Sequence, residues 1–216
     1  PGVDTVPYEP DVDIRDWVRL SEIMAEYGLG PNGAQILAAD MLALNVKEVV
    51  DVIQGFDTDY VLIDTPGQLE LFAFRQSSRV VLDAMDRQSS VLLFLFDPVV
   101  SRNPNGFVTS LMLSATVQFR LDVPMISALS KSDLLSDEDR VVVDRWSQDK
   151  YSLWSDLCDE AANDSQTQIN LEFLQALETV GSVSGMGFVS SETLEGIPDT
   201  YSLVQQLMEG GEDLEG

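Results

Sequence analysis

YVLIDTPGQLELF, residues 60–72, is the stretch on which the reading of this chain turns. Residues 60–63 form a short apolar run with two β-branched side chains, Val61 and Ile63, and the run is too brief for a helix. It is expected to be a buried strand. Asp64-Thr65-Pro66-Gly67-Gln68 follows at once. A carboxylate at the carboxyl end of a buried strand, with a glycine three residues on, is how nucleoside triphosphatases hold Mg2+. In that arrangement Asp64 reaches the metal, often through a water, and Gly67 lets a backbone N–H approach the γ-phosphate. Gln68 stands where it can orient an attacking water. The plain alternative is a strand ending in a proline turn, with Asp64 as a helix cap.

Working outward, 216 residues with 44% hydrophobic content fit one domain with a full-sized core, placed at residues 1–208. Residues 209–216, EGGEDLEG, read as a disordered acidic tail. The charge is unusual: 37 acidic residues against 12 basic ones, net −25, with lysine only at Lys47, Lys131 and Lys150. Such a surface does not seek nucleic-acid backbones or anionic membranes. Acid spread along the chain with scarce lysine suits a halophile's cytoplasm, where screening shortens to ~3 Å near 1 M salt. An ordinary acidic protein is the alternative. No histidine occurs, which excludes Ser–His triads, His acid–base chemistry and His-ligated metals within these residues. The single cysteine, Cys158, has no disulfide partner in the sequence. The apolar run 91–96 stops at Asp97, too short to span a membrane. A cytoplasmic protein is expected.

Residues 1–16, PGVDTVPYEPDVDIRD, read as an extended, proline-punctuated loop. Ser21 is expected to cap a helix over 22–27 that Gly28 stops. Gly30-Pro31-Asn32-Gly33 then reads as a turn, with Pro fixing φ at its second position and Asn tolerating a left-handed third. Over 34–53 apolar residues recur at helical spacing (Leu37, Met41, Leu44, Val46, Val49, Val50, Ile53). Further helices are expected over 77–87, 106–120, 136–146 and 198–208, with one or two over 151–180. Strands are expected over 90–96, 124–129 and 187–189. Buried strands alternating with helices predict an α/β fold with a mostly parallel sheet flanked by helices. Ligands bind such sheets at the strands' carboxyl ends.

Ser130-Lys131-Ser132-Asp133 directly follows the strand expected over 124–129. There an aspartate can accept both guanine N1–H and the exocyclic amine, while a lysine stem covers the ring. Adenine lacks those donors and would leave the carboxylate unpaired. Ser190-Ser191 follows the last strand, where a backbone N–H at Ser191 can meet guanine O6. Taken singly, each of these stretches also reads as an ordinary loop.

Together they resemble the GPN-loop GTPases, dimeric guanine-nucleotide switches of the P-loop class. The matching stretches are PYEPDVDIRD (7–16), YGLGPNGA (27–34), DYVLIDTPGQLELF (59–72), LSKSDLL (129–135) and FVSSETLEG (188–196), spread over nearly the whole chain. Ser130 stands where asparagine is the more general residue, a variant associated with some members. By this resemblance Asp64 belongs to the Mg2+ site, Gln68 and Glu70 line the catalytic centre, and Asp133 reads guanine. Asn32, within Gly30-Pro31-Asn32, would reach across a homodimer to the γ-phosphate and attacking water of the other copy. The resemblance implies a GTP-binding and GTP-hydrolysing switch, cycling between GTP and GDP with Mg2+. It also points to a role in assembling RNA polymerase or other large complexes.

One departure is large. No G-x-x-x-x-G-K-[ST] stretch occurs in these residues, and the glycine-rich 181–187 lacks the Lys and Ser/Thr that phosphate and Mg2+ require. In the family that loop follows a first strand, and a second strand ends in Asn-Leu-Asp-Pro-Ala or similar. Pro1-Gly2-Val3-Asp4 resembles the continuation of that phrase. The expectation is a P-loop-type fold that is N-terminally incomplete, without first strand, phosphate loop, first helix and second strand, and inactive alone. A second reading is a non-catalytic interaction module, a degenerate or truncated GTPase. A metal-delivering GTPase of a related branch is disfavoured by the missing histidines and single cysteine.

Overall fold

The computed structural model describes residues 6–160, 165–180 and 185–208, and the chain divides into two compact units, residues 1–90 and 91–216. The expected acidic tail and the opening Pro1-Gly2-Val3-Asp4 lie outside the described residues.

The first unit is helical. Asp13 opens a short 3-10 turn, Ile14–Asp16, by accepting from the Arg15 N–H. Helix α1 (Leu20–Tyr27) ends at Gly28, whose φ of 63° places it in the left-handed region that glycine adopts freely. Ser21 is not its cap, as the sequence suggested. The helix begins two residues earlier with Arg19 at the N-cap, and Ser21 lies inside it.

Helix α2 (Pro31–Ile53) also begins earlier than expected. Gly30 is its N-cap, and the Gly30 carbonyl accepts from Ala34 N at 2.9 Å. Proline fits the first helical position because its φ is already helical and its missing N–H would have no partner there. Pro31, Asn32 and Gly33 are therefore the first turn of α2, not a separate turn with a left-handed asparagine. Val18 and Ile23 bury against Ala34 and Ala38, whose small side chains let α1 and α2 approach closely. Helix α3 (Leu69–Phe72) is one turn long, and α4 (Gln76–Ala84) packs on α2. The Arg75 Nη2 to Asp40 Oδ2 ion pair, 2.5 Å, ties the start of α4 to α2.

Residues 60–63 overturn an expectation. They carry no regular secondary structure and belong to no strand, and Val61, Leu62 and Ile63 are exposed, Leu62 to 96%. A β-prone run becomes a strand only where another strand completes its ladder. Among the described residues the sheet contains three other strands and not this one.

That sheet forms the second unit, from β1 (Leu92–Phe96), β2 (Met125–Leu129) and β3 (Gly187–Phe188). Its order is β1-β2-β3 and both pairings are parallel, with Leu92 opposite Met125 and Ala128 opposite Gly187. Between β1 and β2 run α5 (Pro98–Ser101) and α6 (Pro104–Leu121). Their starts are fixed by local chemistry: Asp97 accepts from Val99 N and Val100 N, and Asn103 from Gly106 N.

Between β2 and β3 lie α7 (Asp137–Gln148), α8 (Lys150–Glu160) and α9 (Ser165–Val180), and α10 (Ile197–Met208) follows β3. Phe96, Phe107, Leu129, Val143, Trp146 and Leu153 form the centre of the core. The Phe107 ring lies 6.2 Å from Phe96 and 5.7 Å from Trp146, stacking α6 between sheet and α7. The strand expected to be buried over 90–96 is covered on one face only, since Leu93 and Leu95 are exposed. No helix among the described residues is long and apolar enough to cross a membrane.

Candidate functional site

In the second unit, the loops leaving β2 and β3 are built around each other. Ser130 donates twice to the Phe96 carbonyl at the end of β1, through its N–H at 3.0 Å and its Oγ at 3.0 Å. Serine in place of asparagine thus anchors the loop to the neighbouring strand. Lys131 adopts the left-handed conformation, φ 51°, and the chain enters a 3-10 turn, Ser132–Leu134. Buried Ser132 donates its N–H to the Val189 carbonyl at 3.1 Å, which pins this loop to the residue after β3. The side chains of Lys131 and Asp133 are left exposed.

Asp133 is held in place. The Ser190 hydroxyl donates to Asp133 Oδ1, and the same Oγ accepts from Glu192 N and Thr193 N, each at 3.2 Å. Ser190 is only 1% exposed, whereas Ser191 is exposed. The sequence pointed to Ser191 through its backbone. The side chain that organises the site is its neighbour, recognisable in retrospect as a serine whose hydroxyl caps the turn formed by the next three residues.

The loop then closes on itself, with Ser190 N donating to the Glu195 carbonyl at 3.1 Å. The Glu195 side chain accepts from both terminal guanidinium nitrogens of Arg140, Nη1 and Nη2, and from Ser132 Oγ at 3.2 Å. The hydrogen bonds from Arg140 hold the Glu195 carboxyl below its ordinary range, and the same contact raises the Arg140 guanidinium. Neither Arg140 nor Glu195 was singled out from the sequence. A charged pair 55 residues apart leaves no local signature.

The first unit carries the remaining expected residues. The turn 64–68 is exposed at Asp64, Gly67 and Gln68, with Gln68 as the N-cap of α3. A Cβ added at Gly67 would meet nothing within 4 Å. The Tyr8 hydroxyl donates to Asp64 Oδ2 at 2.5 Å, and that bond is the main cause of a raised Tyr8 pKa. The side chain of Glu70 lies outside the described residues. Asn32 is exposed in the first turn of α2, beside exposed Gly30 and Pro31. The structure therefore brings Lys131, Asp133 and the 190–191 loop together in one unit. Asp64, Gly67, Gln68 and Asn32 lie in the other.

No group of three or more His, Cys, Asp or Glu stands together among the described residues, so these residues form no protein cage for a metal. Mg2+ bound with a nucleotide needs none, since it keeps waters and takes phosphate oxygens with one or two carboxylates. An exposed Asp64 fits that requirement.

A family model described as a conserved hypothetical ATP binding protein matches residues 1–210. GPN-loop GTPase 1 of Dictyostelium discoideum is 27% identical over 201 residues, covering 87% of this chain and 49% of that protein. The GPN-loop GTPase PAB0955 of Pyrococcus abyssi is 36% identical over 141 residues, 64% of this chain and 56% of that one. The chain spans about half the length of the curated relatives it matches. The crystal structure of PAB0955, described as a GTPase in apo form, superposes with a TM-score of 0.82 at 30% identity, covering 94% of this chain and 81% of that chain. With that architecture shared, the parallel sheet belongs to the P-loop GTPase fold. Sequence, family model and solved structure agree that this chain is a member of the GPN-loop GTPase family.

Proposed function

We propose that this protein binds GTP with Mg2+ and hydrolyses it, working as a homodimer. The observation that carries the choice of base is Asp133, an exposed carboxylate fixed by Ser190 at the carboxyl ends of adjacent parallel strands. A fixed acceptor pair matches guanine's N1–H and amine, and Lys131 beside it can cover the ring. Adenine offers an acceptor at N1 and would face the carboxylate with a like partner. Guanine is thus favoured over the adenine nucleotide that the family description names.

For hydrolysis, phosphoryl transfer needs positioning and charge stabilisation more than a strong base, which suits a chain without histidine. Gln68 and Glu70 are the residues proposed to orient water, Gly67 to offer its N–H, and Asp64 to hold Mg2+, whose charge would offset that of the phosphates. Asn32, reaching from one copy to the other, would complete the centre. Assembly of RNA polymerase or other large complexes is the cellular role proposed, on the family resemblance. The test is titration calorimetry of the full-length protein with Mg2+–GTP and Mg2+–ATP. GTP should bind at least about a hundredfold more tightly; equal affinities, or a preference for ATP, reject the reading.

A further inference from the structure

Two loops carry the residues assigned to the base, 130–133 and 190–191, and they come from strands far apart in sequence. Their mutual register decides whether the Asp133 carboxylate and the 190–191 backbone can address one ring together. Backbone contacts set part of that register, through Ser132 N to the Val189 carbonyl and Ser190 N to the Glu195 carbonyl. A second set is made by side chains. Glu195 closes the neck of the 190–195 loop and accepts from Ser132 Oγ in the other loop at 3.2 Å. It also accepts from both terminal guanidinium nitrogens of Arg140, with Nη1 to Oε2 at 2.9 Å.

Arg140 sits in the first half of α7, the helix that leaves the 130–135 loop. Its guanidinium also lies 5.0 Å from the ring of Phe188, on β3 two residues before the 190–195 loop. One side chain thus contacts Glu195 at the end of that loop and the strand that leads into it, and its helix is continuous with the other loop. A planar, two-pronged pair fixes orientation as well as distance, which a single charge on a flexible stem does not.

We propose that the Arg140–Glu195 pair is a positioning device that holds the two loops in register and so sets both affinity and selectivity for the base. It rests on the reading of these loops as a guanine site. Neither side chain contacts the ligand in this account; both act through Asp133, Ser190 and the backbone between.

The test compares GTP with inosine triphosphate, which lacks the exocyclic amine and so asks for one fewer contact from Asp133. Both are titrated by calorimetry into the full-length protein and into Arg140→Ala and Arg140→Lys variants. Arg140→Ala should lose roughly three- to tenfold in GTP affinity. Its GTP-to-inosine ratio should fall as well, because a displaced Asp133 no longer rewards the amine. Arg140→Lys keeps the charge but not the fork, and should recover affinity more than selectivity. Should Arg140→Ala fail to fold, the lysine variant carries the same comparison.

If the natural protein prefers GTP over inosine triphosphate and both variants keep that ratio, the pair is only a surface brace and the inference falls. If the natural protein itself shows no preference, the guanine reading fails first, and this inference with it.

Discussion

Asp133 shows how far a single residue could be read. Its type and its place after a strand were legible, because the chemistry of guanine asks for a carboxylate there. Its support was not: Ser190 and the Arg140–Glu195 pair depend on which residues the fold brings together. Glycines separate folding from function at the same scale. Gly196 has φ +69°, and a Cβ there would stand 1.8 Å from the Phe188 carbonyl oxygen. Gly196→Ala should therefore destabilise the protein by about 2 kcal/mol or more, seen as a melting temperature lowered by roughly 4–8 °C. Gly67 has open space around its Cβ position. Gly67→Ala should melt with the natural protein but hydrolyse GTP more slowly if its backbone serves the γ-phosphate. Equal activity would remove Gly67 from the site. Titration adds a sign. Hydrogen bonds from Arg15 and Arg140 lower Asp13 and Glu195 from ordinary values of 3.8 and 4.5. What these contacts contribute is complete above those ordinary values and is lost as pH falls through the lowered ones. An acid melting series should show that loss beginning below about pH 4.5, and a smaller one in Glu195→Gln.

Elements were legible where their own residues decide them. Helix α7 starts at a serine cap followed by three acidic residues, and α1 stops at a left-handed glycine. Legibility failed where a partner decides. Residues 60–63 have the composition of a strand, but a strand exists only in a ladder. The start of α2 lies between these cases: Gly-Pro was readable as punctuation, and the structure makes it a helix N-terminus instead of a turn. That change bears on Asn32. In the first turn of a 23-residue helix its amide is exposed on a rigid support, offering a donor and an acceptor together. Asn32→Ala should lower GTP turnover by roughly ten- to a thousandfold, the effect of losing one positioned donor. Melting temperature and GTP affinity should hardly change, because the side chain is exposed and is not among the residues proposed to hold the base. Normal turnover would return Asn32 to the role of a helix start. Mixing this variant with one altered only at Asp64 should restore activity up to about half the sites of a mixed dimer if the residue acts across the twofold axis.

At the scale of the whole molecule, charge was legible and the division of the chain was not. Periodicity cannot show that residues 1–90 and 91–216 form two compact units, because that depends on which helices find each other. The net charge of −25 acts on everything at once. Self-repulsion among exposed carboxylates should be relieved as screening shortens. We therefore expect the melting temperature to rise by more than about 5 °C between roughly 0.1 and 3 M KCl. A melting temperature independent of salt would contradict the halophile reading of the composition. The central claim is that these residues make a guanine-nucleotide switch, and Asp133 tests it most directly. Replacing it by asparagine substitutes a donor for one acceptor, and that donor would face the guanine amine. Calorimetry on full-length Asp133→Asn should show GTP affinity weakened by about 2–4 kcal/mol. Binding of xanthosine triphosphate, which carries an oxygen where guanine has its amine, should strengthen at the same time. Unchanged GTP affinity, with no gain for the xanthine nucleotide, would mean that Asp133 sits in a plain surface loop and that the account is wrong.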